Sequence, residues 1–306
     1  MKVKGQSAAV AQGSDLEVIK RAAIVAMFSD EDLMDLLVLK GGNAMDMVHQ
    51  ANARASVDLD FSTAGDLDHK TLVPKLEKAL TDTFELHKYL AFDIKVGQKP
   101  GVMPDDLAAF WGGYLVEFKL IRVVRADEVG RDLEIMRREA VRLGEGSRFT
   151  IDISRHEYVD GKEEHELDGY VIFVYSPEMI VCEKLRAICQ QMPEYAEIIK
   201  RNGLGKQRAR DFIDIRALVE KFEVDLSTAR AQEVVRAMFE AKKVPLGLLA
   251  KIGTTSDFHA LGFDEVKAAM KPGVKVESFD FYFDFVVTQC KKLEALWNVQ
   301  APMGNV

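Results

Sequence analysis

Two adjacent glycines, Gly41 and Gly42, place the strongest restriction on how this chain can fold. They end a short apolar segment, LLVLK, that predicts a strand. Residues 43–52 carry apolar side chains at positions i, i+3, i+4 and i+7, which predicts an amphipathic helix. The next segment, SVDLDFS, alternates with a period of two and predicts another strand. Residues 36–62 must therefore form a strand, a glycine turn, a helix and a second strand in close succession.

The second of these strands carries two carboxylates on one face. Side chains alternate along a strand, so Asp58 and Asp60 point to the same side, with α carbons roughly 7 Å apart. Two converging carboxylates repel each other unless a cation lies between them, and Mg²⁺ prefers hard oxygen ligands. Gly41 and Gly42 open a helix, where free backbone N–H groups let a triphosphate approach closely. Taken singly, each feature is typical of a solvated sheet face or a plain turn, but their order favours phosphoryl or nucleotidyl transfer.

The periodic segments divide the chain into two parts. Alternating segments such as RFTIDIS and DGYVIFVYS continue to residue 175. From Ser176, a helix cap followed by Pro177 at the first helical position, every periodic segment has helical spacing. We therefore expect an α/β domain over residues 1–175 and an all-helical domain over residues 176–306.

Composition and charge exclude several classes of protein. A net charge of -8 argues against non-specific coating of nucleic acid, which needs a basic surface. The apolar runs are too short to span a bilayer and the N-terminus lacks the apolar core of a signal peptide, so we expect a cytoplasmic protein with no membrane partner. Three cysteines without a Cys-x-x-Cys pair, and six scattered histidines, indicate neither a disulfide framework nor a histidine-based zinc site.

Three motifs in order resemble one group of enzymes. The array of Gly41, Gly42 and RASVDLD is similar to the signature of the DNA polymerase β-like nucleotidyltransferase superfamily. The motifs EKLRA (183–187) and RARDFIDI (208–215) are similar to those of AbiEii/AbiGii-type toxins of type IV toxin–antitoxin and abortive-infection systems. The resemblance covers most of residues 37–220. It implies an α+β fold, with a polymerase-β-like N-terminal domain built on a mixed sheet and an all-helical C-terminal domain that contributes to the active-site cleft.

The resemblance also implies an active centre of metal-binding and phosphate-binding residues. Its members are the metal ligands Asp58 and Asp60, the phosphate neighbours Ser56 and Lys184, and Asp211. The family usually has lysine where this chain has Arg210, a departure that keeps the positive charge.

Helical spacing, independently of the resemblance, places some of these residues on a core-facing stripe. The inward stripe of KQRARDFIDIRALVEKF, continued backward by three and four residues, reaches Asp211 and Arg208. Polar groups on a core-facing stripe need partners, so these two residues form either a buried structural ion pair or part of a functional site, and the same two alternatives hold for Lys184. In the functional alternative, the helical half closes over the nucleotide, and Lys184, Arg208 and Arg210 face its phosphates.

Polymerase-β-like sites generally use a third carboxylate on a neighbouring strand, which accepts a proton from the attacking hydroxyl or completes a second metal site. Glu117 and Asp152 are the two candidates. Glu117 shares its strand face with Lys119, which predicts an exposed cross-strand ion pair. Asp152 stands alone among apolar neighbours, and we favour it as the third metal ligand because its charge is uncompensated.

The sequence thus predicts a nucleotidyltransferase that uses Mg²⁺ or Mn²⁺ to move a nucleoside monophosphate from an NTP onto a hydroxyl acceptor. The resemblance implies an RNA acceptor, the 3′ end of tRNA, and a cognate antitoxin as protein partner. Two alternatives stay open at this point. One is an antibiotic-type enzyme with small hydroxyl acceptors, which the acidic net charge favours, and the other is a catalytically silent nucleotide- or partner-binding module.

Overall fold

A computed structural model describes residues 13–51, 58–142, 146–271 and 273–298 of the chain. Packing divides the chain into two compact units. Among the described residues, the first holds 13–43, 58–142, 146–156 and 163–174, and the second holds 44–51, 157–162, 175–271 and 273–298. The domain limits drawn from the sequence stay a prediction.

The first unit is built on a seven-stranded sheet. Its helices and strands in chain order are α1 (Gly13–Phe28), α2 (Glu31–Leu36), β1 (Val38–Lys40), α3 (Gly41–Asn43), β2 (Leu59–Ser62), α4 (His69–Leu86), β3 (Tyr89–Lys99), α5 (Asp105–Ala108), β4 (Gly113–Arg122), α6 (Val123–Glu128), α7 (Leu133–Glu139), β5 (Phe149–Ser154), β6 (Lys162–Leu167) and β7 (Tyr170–Tyr175). The strand order in the sheet is β3-β4-β5-β2-β1-β7-β6. Strand β1 pairs antiparallel with β2 and parallel with β7, while β5 pairs parallel with β2 and antiparallel with β4, so the sheet is mixed.

One face of this sheet is apolar and closed by helices α1 and α4. Alternate residues of β4 and β5 are buried, and their neighbours are partly exposed, which is the pattern of a sheet with one face toward a core. Phe28 of α1 packs on Phe61 with ring centroids 5.9 Å apart, and Phe84 of α4 packs on Phe118 at 5.5 Å. The polar side chains of these strands therefore lie on the opposite face.

The second unit is helical. Its elements are a π-helical turn (Ala44–Val48), α8 (Pro177–Cys189), α9 (Pro193–Ile198), α10 (Ala209–Phe222), α11 (Ala229–Ala241), a 3₁₀ segment (Leu246–Thr254), α12 (Ser256–Ala260), α13 (Phe263–Ala268), α14 (Phe279–Lys291) and a second 3₁₀ turn (Glu294–Leu296). Helix α8 packs against α10 and α11, and α10 packs against α14, where Phe212 stacks on Phe283 with centroids 5.4 Å apart. Among the described residues, no helix has the length and apolar character that crossing a membrane requires.

The predicted fold class, an α+β fold with a mixed sheet followed by a helical C-terminal region, is confirmed. The helix predicted over 43–52 is shorter, because the backbone of Gln50 has a φ of 50°, which is incompatible with helical continuation. Strand β6 was not predicted, since its sequence KEEHEL lacks apolar alternation. It lies at an edge of the sheet, where charged side chains are favoured.

Close packing of β4 on β5 gives a prediction for stability. A Cβ added at Gly113 would lie 2.1 Å from the Ile153 carbonyl oxygen, so we expect Gly113→Ala to lower the free energy of unfolding by about 3 kcal/mol. A Cβ added at Gly97, on the neighbouring strand β3, would meet nothing within 4 Å, so Gly97→Ala should change it by less than about 0.5 kcal/mol. Urea unfolding monitored by circular dichroism measures both, and equal values for the two variants would contradict the packing described here.

Candidate active site

The first unit brings Gly41 into direct contact with Asp60. Gly41 follows β1 immediately and has a φ of +69°, a backbone conformation that favours glycine. A Cβ added there would lie 2.6 Å from Oδ2 of Asp60 and 3.2 Å from its Cβ. The glycine turn therefore leaves room for this carboxylate, which any side chain at position 41 would displace.

Strand register places Asp60 beside Asp152. Asp60 lies opposite Lys40 in the antiparallel pair of β1 and β2, and it is the direct partner of Asp152 in the parallel pair of β2 and β5. Adjacent strands lie about 4.8 Å apart, so the two aspartates are neighbours on one face of the sheet. Both are partly buried, while Phe61 and Ile151 beside them are fully buried in the core on the other face. Two carboxylates that the chain separates by some ninety residues thus come together.

Asp58 lies just before the residues of β2 that pair with β5. Strand β2 begins at Leu59, and Asp58 is exposed. Its backbone carbonyl oxygen accepts a hydrogen bond of 2.5 Å from Nδ2 of Asn43, at the end of the one-turn helix α3. Ser56, expected beside the nucleotide phosphates, lies outside the described residues.

The two candidates for the third carboxylate differ in position. Asp152 adjoins Asp60, and one of its oxygens is 2.5 Å from Nζ of Lys99. The expectation that the charge of Asp152 is uncompensated is therefore wrong, because the ammonium group of Lys99 is paired with it. Glu117 lies one strand further away, on β4 opposite Thr150, and its carboxylate accepts a 2.8 Å hydrogen bond from Arg148. Glu117 thus forms a partly exposed ion pair across neighbouring strands, as expected, but its cation is Arg148 and not Lys119.

In the second unit, Lys184 forms a buried network with two aspartates. Lys184 on α8 is 7% exposed, and its Nζ donates to Oδ1 of Asp211 at 2.9 Å and to Oδ2 of Asp214 at 2.7 Å. The other oxygen of Asp211 accepts from Nε of Arg208 at 2.5 Å. Asp211 and Asp214 are three residues apart on α10 and therefore share one helix face. The structure brings the predicted residues Lys184, Arg208 and Asp211 together, and both described partners of the Lys184 amine are carboxylates.

Electrostatics keep this network charged. Burial would raise the pKa of Asp211, but the Arg208 and Lys184 cations outweigh burial and hold the pKa far below its usual value. Burial would lower the pKa of Lys184, but the charges of Asp211 and Asp214 raise it above its usual value. Each charge is compensated by a hydrogen-bonded partner, which is the condition for keeping ions inside a protein.

Arg210 points to a cavity at the start of α10. The cavity has a volume of about 310 Å³, and its charged lining residues are Arg208, Arg210, Asp211 and Glu265. The first backbone N–H groups of a helix have no partner within the helix, so they add positive potential at this end of α10. The two arginines are offset by two carboxylates, one of which already accepts a hydrogen bond from Arg208.

The sequence analysis missed three residues, one next to the carboxylates near Gly41 and two in or beside the charged network of Lys184. Asp214 could have been found, because it lies on the same helix face as Asp211. Asn43 gave no signal beyond its position after the two glycines. His259 gave none, since it comes from α12 and reaches α10 only through the tertiary fold; its Nδ1 accepts a 3.0 Å hydrogen bond from the backbone N–H of Arg208.

His259 gives a prediction for acid stability. Burial lowers its pKa to about 4, with Asp211 opposing and Arg208 assisting this shift, so the folded protein holds the ring neutral as an acceptor. The unfolded chain takes up this proton at higher pH, near the usual histidine value of about 6.5. Stability should therefore fall as the pH drops from about 6.5 toward 4, by about 2 kcal/mol between pH 7 and pH 4.5.

The variant His259→Asn keeps an acceptor but removes this titration, so it should lose about 2 kcal/mol less than the wild type over that range. Urea midpoints at the two pH values measure the difference. His69→Asn, at an exposed histidine, is the control and should follow the wild type. Parallel losses in wild type and His259→Asn would contradict a neutral buried His259.

Comparison with solved structures gives matches of low sequence identity. The crystal structure of JHP933 from Helicobacter pylori is 16% identical, with a TM-score of 0.47, over 94% of this chain and 96% of that one. An antigenic nucleotidyltransferase-like protein from Paracoccidioides brasiliensis is 14% identical, with a TM-score of 0.35, over 78% and 95%. The Megavirus polyadenylate synthase is 15% identical, with a TM-score of 0.30, over 98% and 59%. No curated protein matches the chain significantly.

Comparison with protein families gives a match over most of the chain. The family model described as nucleotidyl transferase AbiEii toxin, type IV TA system, matches residues 23–284, a range that includes both groups of charged residues described above. The resemblance inferred from the three sequence motifs is confirmed. The chain belongs to the AbiEii family of nucleotidyltransferase toxins of type IV toxin–antitoxin systems.

Proposed function

We propose that this nucleotidyltransferase transfers a nucleoside monophosphate from an NTP to a hydroxyl of an RNA acceptor, the 3′ end of tRNA, in a reaction that depends on Mg²⁺ or Mn²⁺. The observation that carries the proposal is the register pairing of Asp60 with Asp152, with Gly41 packed against Asp60. Residues 1–175 would form the nucleotidyltransferase domain and residues 176–306 the helical domain.

Three carboxylates would hold the divalent cation. Asp58, Asp60 and Asp152 would supply hard oxygen ligands, and the missing side chain at Gly41 leaves room for Oδ2 of Asp60. A bound Mg²⁺ or Mn²⁺ would neutralise charge on the triphosphate and polarise its α-phosphorus.

The chain offers phosphate contacts of two kinds. In the first unit, the backbone N–H groups of Gly41 and Gly42 would bind the triphosphate, with Ser56 beside it. In the second unit, Arg208 and Arg210 would bind phosphate as cations next to the start of α10. The buried position of Lys184 and its two carboxylate partners favour a structural ion pair, one of the two alternatives derived from the sequence, so we assign Lys184 and Asp211 to holding Arg208 in place.

Asp152 would accept the proton of the acceptor hydroxyl. The acceptor hydroxyl oxygen attacks the α-phosphorus, a new P–O bond forms, and the bond to the β-phosphate oxygen breaks with release of pyrophosphate. The proton of the hydroxyl passes to the carboxylate of Asp152, which lies beside the metal ligand Asp60. Adding a nucleotide to the 3′ end of tRNA would block aminoacylation and stop translation, and a cognate antitoxin would restrain this activity.

A small hydroxyl compound, as in antibiotic-modifying enzymes, is the second candidate for the acceptor. The net charge of -8 favours it, because an acidic protein repels the RNA backbone. Supplying small hydroxyl compounds and total RNA in one reaction, and following which of them takes the label, separates the two acceptors.

The test of the proposed function is label transfer from each of the four α-³²P-labelled NTPs to total RNA in the presence of Mg²⁺. We expect labelled tRNA with the wild type and none with Asp58→Ala. If Asp152 accepts the proton, Asp152→Asn should lower the rate by about 10²- to 10⁴-fold, while Glu117→Gln should stay within a few-fold of wild type. Equal labelling by wild type and Asp58→Ala would remove the enzymatic proposal, and a larger loss with Glu117→Gln than with Asp152→Asn would reassign the third carboxylate.

Gly41 gives a second prediction for activity. Gly41 and Gly130 have similar positive φ values of +69° and +63°, so replacement of either by alanine costs about 1 kcal/mol of backbone strain. A Cβ added at Gly130 meets nothing within 4 Å, whereas one at Gly41 collides with Asp60. The same labelling assay should show a loss of about 100-fold or more for Gly41→Ala and nearly wild-type transfer for Gly130→Ala. Similar activity of both variants would mean that contact with Asp60 does not matter for transfer.

A further inference from the structure

Asn43 is fully buried and binds the backbone of a proposed metal ligand. Its side chain has 0% exposure, and its Nδ2 donates to the carbonyl oxygen of Asp58 at 2.5 Å. Asn43 ends the same one-turn helix that begins with Gly41, which contacts Asp60. One turn of three residues thus contacts both aspartates of the DLD segment, Asp60 through its side chain and Asp58 through its backbone.

Asp58 depends on this contact more than Asp60 does. Asp60 is held in the sheet by partners on both sides, Lys40 on β1 and Asp152 on β5. The pairing of β2 with β5 begins at Leu59, so Asp58 lies one residue outside that ladder and is exposed. The hydrogen bond from Asn43 is therefore a fixed point for the backbone at Asp58, and through it for the carboxylate.

The oxygen atom of the Asn43 side-chain amide indicates that this residue does more than stabilise the fold. Its Oδ1 is buried and has no hydrogen-bond partner among the described residues. A buried acceptor without a partner costs free energy that an apolar side chain of the same size would not. Because Asn43 is present despite this cost, we look for its role in the hydrogen bond that its Nδ2 donates.

We propose that Asn43 is a positioning residue that sets the metal-binding geometry of Asp58 through its hydrogen bond to the Asp58 carbonyl. This proposal rests on the proposed function, since it takes Asp58 as a metal ligand. When a residue that is hydrogen-bonded to a metal ligand is replaced, metal affinity typically falls by 10- to 100-fold. The effect should appear in cation binding itself, and activity should recover when the cation concentration is raised.

The test measures Mn²⁺ binding to the full-length protein by electron paramagnetic resonance, without nucleotide or acceptor. Asn43→Leu keeps the approximate size of the side chain and removes the donor, so its Kd for Mn²⁺ should rise by about 10- to 100-fold. Asn43→Ser, which keeps a hydroxyl donor, should bind more tightly than Asn43→Leu. Gln289→Leu is the matched control, because Gln289 is also a buried amide with an unpaired oxygen but belongs to the other unit, and it should bind Mn²⁺ like the wild type.

Asp58→Asn in the same titration separates this proposal from the proposed function. If Asp58→Asn weakens Mn²⁺ binding while Asn43→Leu and Asn43→Ser bind like the wild type, the role of Asn43 is refuted and the metal site stands. If Asp58→Asn binds Mn²⁺ as tightly as the wild type, the metal site itself is refuted. Circular dichroism checks that each variant is folded, and if Asn43→Leu does not fold, Asn43→Ser decides through the same comparison with the wild type.

Discussion

The position of one carboxylate, that of Asp60, governs the rest of the candidate active site. Three independent contacts determine it, namely the antiparallel pairing with β1, the parallel pairing with β5 and the close approach of Gly41. The first two fix the backbone, and the third leaves the space that the carboxylate needs. Because a one-residue slip of β2 would turn Asp60 toward the core formed with α1 and α4, the apolar face of the sheet also enforces this position. Stability and chemistry thus depend on the same register.

The second group of charges obeys a different constraint. Lys184, Asp211 and Asp214 are almost fully buried, and burial alone would shift the pKa values of Lys184 and Asp211 toward their neutral forms. They keep their charges because each one has a hydrogen-bonded partner of opposite sign, and Arg208 at the cavity completes the set. Such a network contributes little net stability compared with apolar packing, but it holds its members in one geometry. In the function proposed above, this network would fix the orientation of Arg208 next to the start of helix α10.

Local sequence patterns were sufficient to predict the fold class and most of the element types. The glycine pair, the DLD alternation and the start of helical structure at Ser176 are properties of neighbouring residues, so the mixed sheet, the helical region and most element types could be predicted. The pairing of Asp60 with Asp152 joins distant parts of the chain, and only the general expectation of a neighbouring strand pointed to it. The cation that pairs with Glu117 could not be read from its own strand, because Arg148 lies just before β5. Asn43 and His259 could not be predicted, since their roles come from tertiary contacts.

If Asp58, Asp60 and Asp152 bind divalent cations next to the Gly41 turn, crystals soaked with Mn²⁺ and a non-hydrolysable NTP analogue will show the ion by anomalous diffraction. We expect an anomalous peak at roughly 2.0–2.3 Å from carboxylate oxygens of Asp58 and Asp60, with the triphosphate against Gly41 and Gly42. A peak bound elsewhere, with these carboxylates turned away from each other and from the phosphates, would contradict it.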